Sequence, residues 1–150
     1  MVEPMSMTAE SLAFQENLVS LVRACGLHSP DRTPCGQPVS ISDAHALMEI
    51  GRDDAISQAE LGSRLRLEKS TVSRLVRLLE ERGWVARQRS ASDGRVDELS
   101  LTKAGAKVNR DLARARARHF AGVCAHIPEA ERAGVLRSVG ILVEALRATD

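Results

Sequence analysis

The sequence predicts a mainly α-helical chain with a small two- to three-stranded β wing. Three observations predict it. Apolar residues recur at helical spacing through most of the 150 residues. The composition is rich in Ala and Leu and poor in aromatics, with Phe14, Trp84, Phe120 and no tyrosine. Between residues 84 and 101 the pattern shortens to that of strands around Ser92-Asp93-Gly94, a turn signal. An apolar fraction of 43% is enough for a packed core and excludes global disorder.

A first helix is expected from Thr8 to Leu27, with Leu12, Leu18, Leu21 and Val22 on one stripe. It ends at HSPDRTPCGQP, where three prolines and a glycine make a loop. Ser40 with Asp43 three residues on forms an N-cap with an acidic first turn, and a short second helix runs through Ala44–Ile50 to Gly51. Ser57-Gln58-Ala59-Glu60 reads as a capping box opening a third helix, Gln58 to about Leu65. After a break at Arg66-Leu67 comes the fourth, Glu68–Arg82, with an apolar stripe of Val72, Leu75, Leu78 and Leu79. Gly83 stands where a helix-ending glycine belongs. Trp84–Arg89 and Val96–Leu101 read as two strands of a hairpin. Thr102 caps a long fifth helix, Lys103 to about Ala125. Pro128 suits the first turn of a last helix ending near Arg147, striped by Val135, Val139, Leu142 and Leu146.

Two short helices joined by a tight turn and followed by a β wing describe a winged helix-turn-helix over residues 40–101. The fourth helix then turns Val72, Leu75 and Leu79 inward and Lys69, Ser70, Ser73, Arg74 and Arg77 outward, with Thr71 at the edge. Hydroxyls can bond bases or phosphates, and Arg can hold guanine O6 and N7 together. One such helix alone would better suit a solvated surface; the hairpin that follows it at the right distance reverses that reading in favour of double-stranded DNA. At the hairpin tip, Arg95 of Asp93-Gly94-Arg95 can enter a narrow minor groove, supported by Arg87 and Arg89 at the wing base. Charge agrees. Residues 57–110 hold twelve Lys/Arg against seven Asp/Glu, whereas residues 1–56 hold three against eight.

Other classes recede. The start, MVEPMSMTAE, is acidic and lacks an apolar run, and no stretch approaches the roughly 18 apolar residues of a membrane span. Three cysteines, an odd number, argue against a secreted disulfide framework. No glycine-rich phosphate loop, nucleophile elbow or paired carboxylates with a base are evident. The expectation is a cytoplasmic protein that is not an enzyme and not bound to membrane.

The run LEKSTVSRLVRLLEERGWV, beginning at Leu67, resembles the recognition helix and helix end of MarR-type regulators. The stretch from Asp93 to Gly105, D-x-R followed by S-L-T-K-A-G, is similar to that family's wing and wing-to-helix junction. The resemblance covers about residues 8–147. It implies a homodimer on a palindromic operator, acting as a repressor and released by a small molecule, a metal or an oxidant. It also implies that residues 8–27 and 103–147 of two subunits interlock as a dimerisation region. Family wings often carry two adjacent basic residues at the tip, whereas here Gly94 precedes a single Arg95. The alternative from another class is a winged-helix protein-interaction module without sequence-specific DNA binding.

Cys25, His28, Cys35 and His45 form the most unusual constellation. Two thiolates and two imidazoles suit tetrahedral zinc, although the spacing is no known zinc-finger pattern. By resemblance, zinc-responding members draw ligands from this loop and from the second and fifth helices; His119 and His126 lie on or near the fifth but lack i, i+4 spacing. Cys25 and Cys35 could instead form a reversible disulfide. Peroxide-sensing relatives orient their cysteine with tyrosines, which this chain lacks. The third reading is structural, with Cys25 and Cys124 as small buried hydrophobes and His45 a satisfied histidine.

Overall fold

The computed structural model describes residues 8–90 and 97–149. Along them run α1 (Ala9–Ala24), α2 (Ile41–Ile50), β1 (Ile56–Ser57), α3 (Gln58–Leu65), α4 (Lys69–Glu81), β2 (Val85–Arg89), β3 (Asp97–Leu101), α5 (Lys103–Ala125) and α6 (Glu129–Arg147). The expected fold is present, with the third strand supplied by β1. The turn expected at Asp93-Gly94-Arg95 lies outside the described residues.

Short polar side chains start the helices by taking N–H groups that have no partner inside the helix. Thr8 Oγ1 accepts from the Ser11 amide at 3.1 Å, Ser40 Oγ from that of Asp43 at 3.0 Å, and Ser57 Oγ from that of Glu60 at 3.1 Å. The box at Ser57 is one-sided, because the Glu60 carboxylate accepts from Arg64. Pro128 takes the N-cap itself, one residue before the first-turn position expected. Between α3 and α4, Arg66 adopts the left-handed conformation, φ 55° and ψ 45°, and the Leu67 amide donates back to the Gly62 carbonyl at 3.0 Å. A Cβ on Gly62 would stand 3.2 Å from Val72 Cγ2, so glycine there lets the two helices approach.

The strands pair antiparallel in the order β1-β3-β2. Ile56 lies opposite Leu99, Val85 opposite Leu101 and Arg89 opposite Asp97. A two-residue strand is too short to show a period, which is why β1 left no trace in the pattern.

The chain divides into two compact units, Met1–Ala115 and Arg116–Asp150. The first holds the core, where Leu47, Ile50, Leu61, Val72, Val76, Leu79 and Leu99 are fully buried. Helix α4 contributes Val72, Leu75, Val76 and Leu79, the i, i+3, i+4, i+7 set of one helical face. Leu78, expected in that stripe, is 39% exposed; it lies a third of a turn off the face that Val76 completes. In the second unit, Arg132 Nε donates to the carbonyls of Cys124 and Ile127 at 3.1 Å each, which ties the end of α5 to the start of α6. Neither α1 nor α6 buries a residue. Among the described residues no helix is long and apolar enough to cross a membrane.

The wing meets α5 at a close backbone contact. Thr102 Oγ1 accepts from the Gly105 amide at 3.0 Å and donates to the Gly83 carbonyl at 2.6 Å. A Cβ on Gly105 would overlap the Trp84 carbonyl, a backbone atom that cannot swing aside. Gly105→Ala should therefore cost about 2–3 kcal/mol and lower the thermal midpoint by about 5–10 °C. Thermal unfolding followed by circular dichroism checks this, and an unchanged midpoint would refute the close contact.

Candidate nucleic-acid interface

With Val72, Leu75, Val76 and Leu79 buried, the remaining face of α4 is fixed toward solvent. Lys69, Ser70, Thr71, Ser73, Arg74 and Arg77 are all exposed along it. Ser73, Arg74 and Arg77 line a shallow concavity of about 280 Å³. A second, of about 570 Å³, opens between α3 and the start of α4, with Gln58 and Lys69 at its edges. Gln58 Nε2 donates to Ser73 Oγ at 2.7 Å, linking the first residue of α3 to the middle of the exposed row. Arg77 stands 3.7 Å from Glu81 one turn on, a loose pair with both side chains largely in water. Arg89 is exposed at the end of β2, and Arg95 lies outside the described residues.

Both ends of the region are anchored by ion pairs. Arg82 Nη1 donates to Asp43 Oδ2 at 2.7 Å, and its guanidinium lies 5.0 Å from the centre of the Trp84 ring. The Asp43 side chain is 6% exposed, and its own amide is capped by Ser40, so α2, the end of α4 and the first wing residue are held together. Arg87 bonds both Glu80 carboxylate oxygens at 3.2 and 3.3 Å and Asp97 at 3.4 Å. The Glu80 hydrogen bonds, with a smaller contribution from Asp97, raise the Arg87 guanidinium above its ordinary pKa. Arg87 thus joins α4 to both wing strands, a structural role that the sequence reading of it as a support at the wing base did not include. Arg64 does the same behind α3, where bonds to Glu60 and then Asp53 raise its pKa, and it also approaches buried Glu49 at 3.7 Å.

The cysteines and histidines are placed differently from expectation. Cys25 is the half-buried C-cap of α1, Cys35 lies in the following loop 3.1 Å from Thr33 Oγ1, and His28 and His45 are exposed. Among the described residues no group of three or more His, Cys, Asp or Glu is placed to hold a metal ion. Cys25, His28, Cys35 and His45 therefore do not converge within one chain. Cys124, read as a buried hydrophobe, is exposed, in a stretch of α5 that buries none of its own residues beyond Ala115.

Glu80 and Arg87 were within reach of the sequence, since they flank the reversal at Gly83. Asp43 with Arg82, 39 residues apart, and Gln58 with Ser73, 15 apart, carry no local signal.

Residues 37–96 match the family model described as the MarR family. An uncharacterised HTH-type transcriptional regulator of Mycobacterium bovis is 31% identical over 109 residues, 73% of this chain and 76% of that protein. The chain belongs to the MarR family. It is accordingly a MarR-family transcription regulator and not an enzyme. Among solved structures, Streptococcus pneumoniae FabT in complex with DNA superposes with a TM-score of 0.70 at 25% identity, covering 94% of this chain and 96% of that one. The PcaV transcriptional regulator of Streptomyces coelicolor, solved with its natural ligand, shares the fold, with a TM-score of 0.64 at 22% identity over 97% of this chain and 99% of that one.

For this MarR-family chain the Asp43–Arg82 pair should be a stability determinant. Removing the arginine strands a carboxylate that is almost fully buried. Arg82→Ala is expected to cost about 2–3 kcal/mol, below the fully buried case because Arg82 is 44% exposed, and Asp43→Ala in the same chain should restore part of it. Urea unfolding of the single and double variants measures this; strictly additive losses would show that the two side chains do not interact.

Proposed function

We propose that the chain is a cytoplasmic homodimeric repressor that binds a palindromic operator and is released by an effector. The exposed row on α4 carries the proposal. Lys69, Ser70, Thr71, Ser73, Arg74 and Arg77 face outward on a helix whose other face is locked into the core. A helix of that form fits the major groove, with Arg74 and Arg77 aimed at base edges and Lys69, Ser70 and Thr71 at bases or phosphates. The wing, through Arg89 and Arg95, would follow the backbone into the minor groove. The DNA-bound FabT structure supports this mode.

A dimer is what such a helix requires, because one α4 spans only a few base pairs and two related by a two-fold axis read half-sites about one turn apart. The open faces of α1 and α6 support it: Phe14 and Leu21 on α1, and Leu136, Val139 and Ile141 on α6, are each 49% exposed or more. For the effector, the ligand-bound PcaV structure supports a small molecule. Zinc bound by Cys25, His28, Cys35 and His45 within one chain has no comparable support, since the four do not converge.

Binding to an operator duplex, followed by fluorescence anisotropy, should fall by about three to five decades between 50 and 200 mM salt if about six to ten phosphates are contacted. Arg74→Ala should relax base preference in a random-duplex selection, while Arg95→Ala weakens binding nearly uniformly. Salt-independent binding, or no binding to any duplex, would favour a protein-interaction module instead. Leu136→Glu should shift the protein from dimer to monomer in analytical ultracentrifugation; a wild-type monomer at micromolar concentration would reject the dimer.

A further inference from the structure

We infer that Gln58 is a positioning residue for base recognition, setting Ser73 as a hydrogen-bond donor toward the DNA. The inference rests on the DNA-binding function proposed above. A serine hydroxyl has one proton to give and two lone pairs to receive with, so on its own it bonds donors and acceptors alike. Here the Gln58 amide donates into Ser73 Oγ at 2.7 Å, a short bond between the first residue of α3 and the fifth of α4. One lone pair is thereby occupied. Among the described residues the Ser73 proton has no acceptor, and Ser73 faces the open concavity it shares with Arg74 and Arg77. The proton and one lone pair remain, and accepting the Gln58 bond polarises the O–H, so the hydroxyl is a better donor than acceptor toward the open side.

Gln58 is itself held. Ser57 caps α3 through the Glu60 amide, which places Gln58 in the first turn, and the approach of α3 to α4 at Gly62 and Val72 sets the distance the amide must span. The chemistry that matches an outward O–H in the major groove is an acceptor: guanine O6 or N7, adenine N7 or thymine O4. Cytosine presents only an amino donor on that edge. The pair Gln58–Ser73 therefore disfavours cytosine at the base it faces.

The test is a random-duplex selection with the full-length protein and its Ser73→Ala, Gln58→Leu, Gln58→Glu and double Ser73→Ala/Gln58→Leu variants. Thermal melts confirm that each is folded; both positions lie at the surface, and a carboxylate at the start of α3 suits the helix dipole. Ser73→Ala and Gln58→Leu are each expected to reduce discrimination at the same half-site position by about fivefold, the worth of one hydrogen bond, with the double variant no worse than either. Gln58→Glu should do more than weaken binding. Its carboxylate accepts the Ser73 proton, so Ser73 offers only lone pairs, and the preference should move toward a base with an amino group, cytosine or adenine. An unchanged preference in Gln58→Leu, or a uniform loss at all positions as expected for a phosphate contact, overturns the inference while leaving DNA binding intact. Failure of the wild-type chain to select any site would reject both.

Discussion

The burial of one face of α4 is the constraint on which the rest of the molecule depends. Val72, Leu75, Val76 and Leu79 enter a core made by Leu47 and Ile50 of α2, Leu61 of α3 and Leu99 of β3. Each such side chain contributes about 2 kcal/mol when removed from water. Rotating the helix enough to hide Arg74 would expose most of that set. Hydrophobic packing therefore decides, before any charge is considered, which residues can meet a ligand.

Charge refines that arrangement, and it sets six basic residues around α4 into two groups. Arg64, Arg82 and Arg87 are turned back onto carboxylates of the same chain and brace α3 and both ends of the wing region. Lys69, Arg74 and Arg77 are turned outward. The basic excess of residues 57–110 thus overstates the charge available to a polyanion, because Arg82 and Arg64 also balance Asp43 and Asp53, which lie outside that stretch. Two of the braced carboxylates, those of Asp43 and Glu49, are buried, so their arginines are required for stability whether or not DNA is present.

The elements were legible where a local rule governs them. Ser40, Ser57 and Thr102 cap the helices as their spacing indicates, and Gly83, with φ +71°, ends α4 as a helix-final glycine does. The bounds of α5 follow from Thr102 and the helical run behind it. What depends on distant partners was not legible. Leu78 and Val76 exchange places because the angle of a stripe depends on which elements cover it. Arg87 had the composition of a DNA contact and the geometry of a brace. The bond from Gln58 to Ser73 exists only because α3 and α4 cross closely at Gly62, a property of two surfaces together. The cysteine–histidine constellation follows the same rule: proximity in sequence around a loop does not by itself gather three of its side chains to one point within the described residues of one chain.

The junction of the wing with α5 also determines how a signal could reach α4. Helix α5 begins at Lys103, and one hydroxyl, that of Thr102, holds both the first turn of α5 and the residue that ends α4. The absence of a side chain on Gly105 brings the backbone of α5 against that of Trp84, two residues beyond Arg82 and its pair with Asp43. The start of α5 and the end of α4 are thereby in direct backbone contact, through which a displacement of one would be passed to the other. In the proposed dimer, the spacing of the two α4 helices is then set by where each α5 begins. An effector would not have to touch the recognition helix; it would have to favour one position of α5 over another, by the difference in its affinity for the two.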